Sequence, residues 1–430
     1  MLNQPFKHNL SYRNHLDYFK SKFIDHTKAV SQKVDLDQLL LAAARKGDSE
    51  TIEQLISKGA DIEAADNEEY TPLLIALSKG NEEAAITLIK LGADVNVINK
   101  HYTTPLHLAI QNSLFKAIEI LIKENADVNT NDNEGYSPLY YAAIHDNKEV
   151  IELFLNCNIE INFKDTNTSN LLHRVIVKNN LKALSFLLNH GADPTIKNKY
   201  DNPALHYAIA LNNIEAAKIL LEHGAEVNLK KTNGTTPLHK AALNANSDAI
   251  KLLLEYGADI NAVNNIGNTP LHKAMENDNL EIVRLLLEKG ANINAINNNG
   301  LTPLLRALDQ GNEEIALNLI NLGADITITS NKGHTALHYA AMRNEIKAAE
   351  LLIENGAKVS ILNEHSYDPL REAVERGYSD FIDFLIKHNA NPNVIYGDNT
   401  TALSIAIEKS HNIVLRKLIE AGANINHINE

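Results

Sequence analysis

Thr104-Pro105-Leu106-His107 is the stretch that decides the fold, because versions of it return every 33 residues through most of this 430-residue chain. Aligned on the proline, the column reads Leu39, Pro72, Pro105, Pro138, Leu171, Ala204, Pro237, Pro270, Pro303, Ala336, Pro369 and Ala402, with no insertion or deletion between any two. A fixed period of this size indicates one supersecondary unit stacked on copies of itself, each burying its apolar face against its neighbours. A globular enzyme varies its loop lengths; this chain keeps them constant.

Outward from the motif, each period reads as two antiparallel helices and a connector. In Asn268-Thr269-Pro270-Leu271-His272, Thr269 can cap a helix N-terminus while Pro270 occupies the first turn, where its missing N–H costs nothing. Pro72, Pro105, Pro138, Pro237, Pro270, Pro303 and Pro369 are accordingly read as helix-start residues. Ala274, Ala241-Ala242 and Ala340-Ala341 keep the first helix thin, so that neighbouring backbones approach closely. A second helix is expected over Leu280–Lys289, with Ile282, Val283, Leu285, Leu286 and Leu287 facing inward and Glu281, Arg284 and Glu288 left for water. It should stop at Gly290. Nine periods carry Gly-Ala there and the other three carry Asn125, Asn158 and Asn389. Glycine and asparagine share a tolerance for the left-handed backbone that ends a helix. The connector Ala291–Gly300 (ANINAINNNG) is rich in turn formers and suits a β-hairpin-like arm.

These motifs resemble the ankyrin repeat family, whose period and Thr-Pro-Leu-His signature the chain repeats in register from roughly Lys33 to Ile428. The resemblance implies an all-α repeat solenoid of helix-turn-helix units with β-hairpin arms in one curved stack. It places twelve units, from 33–65 and 66–98 through 363–395 to 396–428, after a basic segment 1–32. It further implies a non-enzymatic scaffold that binds a macromolecular partner through its concave inner-helix and hairpin surface. His107, His239, His272 and His338 share one column with His173 and His206, and the resemblance gives that column a structural hydrogen-bonding role near the helix start.

Composition narrows the function. Apolar residues make up 44% of the chain but aromatics only 5%, as suits thin helices packing through Ala, Leu and Ile. A net charge of −14 opposes general nucleic-acid binding, which needs a basic face. Residues 1–33 depart from this balance, with Lys7, Arg13, Lys20, Lys22, Lys28 and Lys33 against Asp17 and Asp25. There Tyr12, Leu16, Phe19 and Phe23 recur at helical spacing, which suggests a helix capping the first unit. The alternative is a basic amphipathic helix that docks on a partner or a membrane. Cys157 is the only cysteine, so internal disulfides and thiolate zinc sites are excluded; it reads as an apolar filler in a second helix. The histidines lack metal-site spacing, no catalytic or phosphate-binding motif occurs, and no cofactor is expected. The 32 residues outside the repeats are too few for an independent catalytic core. MLNQPFKHNL lacks the apolar core of a signal peptide and no run is long enough to span a bilayer. A monomeric cytoplasmic protein is expected, with export to a host cell by a signal-less route left open.

Partner contacts are expected where the periods differ. Lys164, Lys197 and Lys230 occupy one column in successive periods, with Lys199 and Lys231 beside two of them and Tyr200 alongside. Stacking would align them about 10 Å apart, a stripe suited to an extended acidic partner. Tyr70, Tyr136 and Tyr367 share a second column, and Tyr70 with the nearby Tyr102 forms a second candidate patch. A solvated edge and tyrosines packed along their own arms are the plain alternatives. At the level of function, the alternative to a scaffold is a targeting or host-directed effector module that recruits a separate enzyme.

Overall fold

The computed structural model describes residues 36–145, 148–155, 157, 161–162 and 170–426. The segment 1–32, Asn158 and Lys164 therefore lie outside the described residues. The chain divides into two compact units, Met1–Lys199 and Tyr200–Glu430.

In the first unit, a helix over 36–46 pairs with Ser49–Ser57, Pro72–Ser78 with Glu82–Lys90, and Pro105–Gln111 with Phe115–Lys123. Pro138–Ile144 then pairs with Lys148–Leu155, and Leu171–Val177 with Leu181–Asn189. In the second unit the first helices are Ala204–Ala210, Pro237–Leu243, Pro270–Ala274, Pro303–Gln310, Ala336–Arg343, Pro369–Arg376 and Ala402–Glu408. Their partners are Ile214–Glu222, Ser247–Glu255, Leu280–Glu288, Glu313–Asn321, Ile346–Glu354, Ser379–Lys387 and Asn412–Glu420. Within each unit, first helices pack on first helices of the adjacent pairs and second on second, so two helical layers share one core.

The local signals act as their chemistry requires. Thr269 sits in extended backbone, its hydroxyl accepts from the His272 N–H, and Pro270 occupies the first turn. Helix Leu280–Glu288 buries Ile282, Val283 and Leu286 and leaves Glu281, Arg284 and Glu288 exposed. Gly290 then turns left-handed at φ +96°, as do Asn125 at +63° and Asn389 at +66° where Asn stands for Gly. Ala241, Ala274, Ala340 and Ala341 are buried to within 1% of complete, which is what lets the first helices lie close together.

No strand forms in the connectors among the described residues, but the turns close on themselves through backbone bonds, from the Asn264 N–H to the Asn268 carbonyl (3.0 Å) and from the Asn297 N–H to the Leu301 carbonyl (3.0 Å), and Ile395 makes an antiparallel bridge with Thr401. Asparagine side chains add to this closure. Asn264 Oδ1 accepts from the backbone N–H groups of Ile266 (3.1 Å) and Asn268 (3.0 Å), closing the turn on itself. Asn228 reaches across to the next period, donating to the Gly257 carbonyl (3.2 Å) and accepting from the Asp259 N–H (2.9 Å). Asn162 does the same with Gly191 and Asp193 in the first unit. Successive turns are tied by backbone bonds from Asn298 N–H to the Ile266 carbonyl and from Asn331 N–H to the Asn299 carbonyl. Cys157 lies beyond the end of Lys148–Leu155, not within it, and its half-buried thiol donates to the Leu153 carbonyl (3.2 Å).

Candidate interaction surface

The chemically versatile side chains of the signature are consumed by the stack. In the buried His107, Nδ1 accepts from the Thr104 backbone N–H (3.2 Å), which leaves Nε2 to donate to the Tyr136 carbonyl of the next period (3.0 Å). His239, His272 and His338 repeat the arrangement with Asn268, Leu301 and Tyr367. Each imidazole thus completes a capping box on its own helix and bridges to the following turn. Accepting at Nδ1 needs the neutral ring. Burial holds His239 and His338 down to about 4 and pushes His107 and His272 in the same direction. No ring nitrogen in this arrangement is turned to a substrate. Among the described residues no group of three His, Cys, Asp or Glu side chains is placed to hold a metal ion.

One pair keeps the bridge with different chemistry. Asp368 and Arg371 replace the Thr and His of the signature: Asp368 caps the Arg371 N–H (2.9 Å), while Arg371 Nη1 donates to Thr400 Oγ1 (2.6 Å). Thr400 stands 29 residues on, the same step that separates His107 from Tyr136. The guanidinium also pairs with Asp398 (2.8 Å) and lies over the Tyr367 ring at 3.6 Å from its centroid.

The lysines and tyrosines singled out by sequence have mixed surroundings. Lys197 and Lys199 belong to the first unit and Tyr200, Lys230 and Lys231 to the second. Lys230 is exposed but donates to the Val263 carbonyl (3.0 Å), and Lys231 donates to Asn202 Oδ1 (2.8 Å). Tyr200 is 64% exposed and Tyr102 57%, so both can meet a partner. Tyr70 is only half-exposed. Tyr136 stacks on Tyr140 at 4.2 Å and Tyr367 supports Arg371, so these two rings serve the fold.

A charged arrangement on the first helices of the second unit went unnoticed in the sequence. Glu276 pairs with Lys273 (2.9 Å) and with Arg306 (3.5 Å) of the following pair; Asp309 pairs with Arg306 (3.5 Å) and with Arg343 (3.8 Å) of the pair after that. The signal was present, since Lys240, Lys273 and Arg306 follow one another at 33-residue steps, as do Glu276 and Asp309. The opposite layer carries open grooves between second helices, such as that lined by Arg284, Leu287, Ile293 and Leu322.

Short helix pairs repeated at a constant step, bridged through capped helix starts and tied turns, define a helical repeat protein. A family model described as ankyrin repeats (3 copies) matches residues 14–99, 39–132, 94–165, 154–231, 172–264, 205–297, 261–330 and 295–363, and a single ankyrin repeat model matches 398–430. The chain belongs to the ankyrin repeat family. Residues 364–397, which hold the Asp368 and Arg371 replacements, fall outside these windows. No curated protein matches the chain. Ankyrin repeats are in general protein–protein interaction modules. Among the described residues no helix is long and apolar enough to cross a membrane.

Proposed function

We propose that this protein is a non-catalytic scaffold that binds a protein partner through the exposed side chains of its first helices and turn tips. The observation that carries this reading is the division of labour within each period. Thr, Pro, His and Ala of the signature are buried and spent on packing and bridging, whereas Lys273, Glu276, Arg306, Asp309, Arg343, Tyr102 and Ile266 vary between periods and reach solvent. Stacking sets these exposed side chains in rows, which suits recognition of a long surface. The test is crosslink mapping. A photo-crosslinker placed at Arg343 or Ile266 should label the physiological partner, and one at Glu281 on a second helix should not. Labelling from Glu281 alone would sink the reading.

A further inference from the structure

We propose that Lys240, Lys273 and Arg306 form a cationic row that receives an acidic, extended segment of the partner polypeptide. The inference rests on the scaffold reading and names the chemistry of what that surface takes. The three residues occupy the same position on the first helices Pro237–Leu243, Pro270–Ala274 and Pro303–Gln310, one period apart, and the column is bounded by Tyr207 before and Tyr339 after.

Three observations support a bound anion. First, with Arg343 the group holds four cations against the two anions Glu276 and Asp309, a local excess of positive charge in a chain of net charge −14. Second, Lys273, Arg306 and Arg343 are paired with Glu276 and Asp309, whereas Lys240 has no ion-pair partner among the described residues and keeps its charge for a ligand. Third, the charged heads are already held in place. The Lys273 and Arg306 side chains are only 19% and 24% exposed, so much of the entropy cost of ordering them is met before binding.

Spacing and sign pattern select the ligand. Helices pack about 10 Å apart, and a polyproline-II segment returns to the same face every third residue after about 9 Å. A chain with a carboxylate at every third position therefore matches the row. A nucleic acid fits less well, because Glu276 and Asp309 interrupt the row and would repel a continuous phosphate backbone, whereas a peptide can set a neutral or basic residue against each.

The test uses the full chain and a fluorescent peptide repeating Glu-Pro-Pro, with the Gln-Pro-Pro peptide and oligothymidylate as competitors. Lys240→Glu breaks no ion pair, so it changes the row without disturbing the ladder; Lys251→Glu on the second helix Ser247–Glu255 is the control, and unchanged melting curves certify both. Salt-sensitive binding of the Glu peptide is expected, weakened roughly tenfold or more by Lys240→Glu and unchanged by Lys251→Glu. Equal affinity in Lys240→Glu, no binding by the unmodified chain, or tighter binding of oligothymidylate would each overturn the proposal. If the Glu peptide fails while the partner still crosslinks from Arg343, the acidic-segment proposal alone is lost. Partner crosslinks confined to Glu281 would remove the scaffold reading with it.

Discussion

At the scale of single residues, one histidine position joins local to tertiary structure. A Thr-Pro start fixes where a helix begins, but the imidazole that completes the cap also grips the next turn, so each signature stabilises two periods at once. Removing a cap hydroxyl, as in Thr269→Ala, should cost about 1 kcal/mol in a denaturant titration. The rings also set an acid limit. Their folded pKa values lie below the ordinary 6.5, at about 4 for His239 and His338, so the unfolded chain takes up protons first as pH falls. The neutral rings' contribution is whole above about pH 6.5, declines as pH drops below it, and is gone once pH passes through about 4. Melting temperatures across this window should fall more steeply for the native chain than for a His239→Gln/His338→Gln variant; parallel curves would contradict the assignment. At 371 an Arg stands where other signatures carry His, and its guanidinium also reaches the residue 29 places on.

At the scale of elements, what ends one helix receives the start of another. Asn81 at the N-terminus of helix Glu82–Lys90 donates to the Ala44 carbonyl of the preceding first helix (3.0 Å), and its amide lies against Gly47. Asn312 donates in the same way to the Met275 carbonyl. Glu345 holds this position before Ile346–Glu354, its Oε1 lying 3.9 Å from where a Cβ on Gly311 would stand. A carboxylate can only accept, and neither of its oxygens finds a partner. Burial, with Glu313 adding repulsion, raises its pKa to about 8 despite the nearby Arg343, which is itself paired with Asp309. The protonated acid is the stable folded form, so its contribution is complete below the ordinary 4.5 and is lost as pH rises through about 8. Glu345→Gln, which keeps a donor at every pH, should melt higher than the native chain by a margin that widens between pH 5 and pH 8; a constant margin would refute this. The glycines offer a sharper contrast. Gly257 (φ +81°) faces open space, so Gly257→Ala should cost about 1 kcal/mol of backbone strain. Gly267 (φ +73°) would set a Cβ 2.8 Å from the Asn298 backbone nitrogen, so Gly267→Ala should cost clearly more and loosen the turn-to-turn bond.

At the scale of the whole molecule, stability within each unit is close to a sum over neighbouring pairs, because each pair there packs chiefly on the next. A deep cavity should therefore be felt locally. Leu418→Ala, at a fully buried site in Asn412–Glu420, should cost 2–5 kcal/mol, an order-of-magnitude range for such truncations, and speed amide exchange in the adjacent pair. Protection in Pro237–Leu243 should stay unchanged. Exchange that rises uniformly across the second unit would show a single cooperative core instead.

The period, the helix starts and stops, and the buried character of the alanine and histidine columns were all determined by the sequence, since each depends on contacts within one 33-residue step or on backbone preferences of single residues. The asparagine-rich connectors were legible as turns, and Asn264 and Asn297 close theirs. Only the stacked structure shows their side chains bridging to the next period, as Asn228 does to Gly257 and Asp259. The charged ladder from Lys273 to Arg343 was likewise decided by tertiary structure. Its partners lie about 30 residues apart or more wherever they cross between pairs, and only close packing of the first helices brings their charges within ion-pair distance.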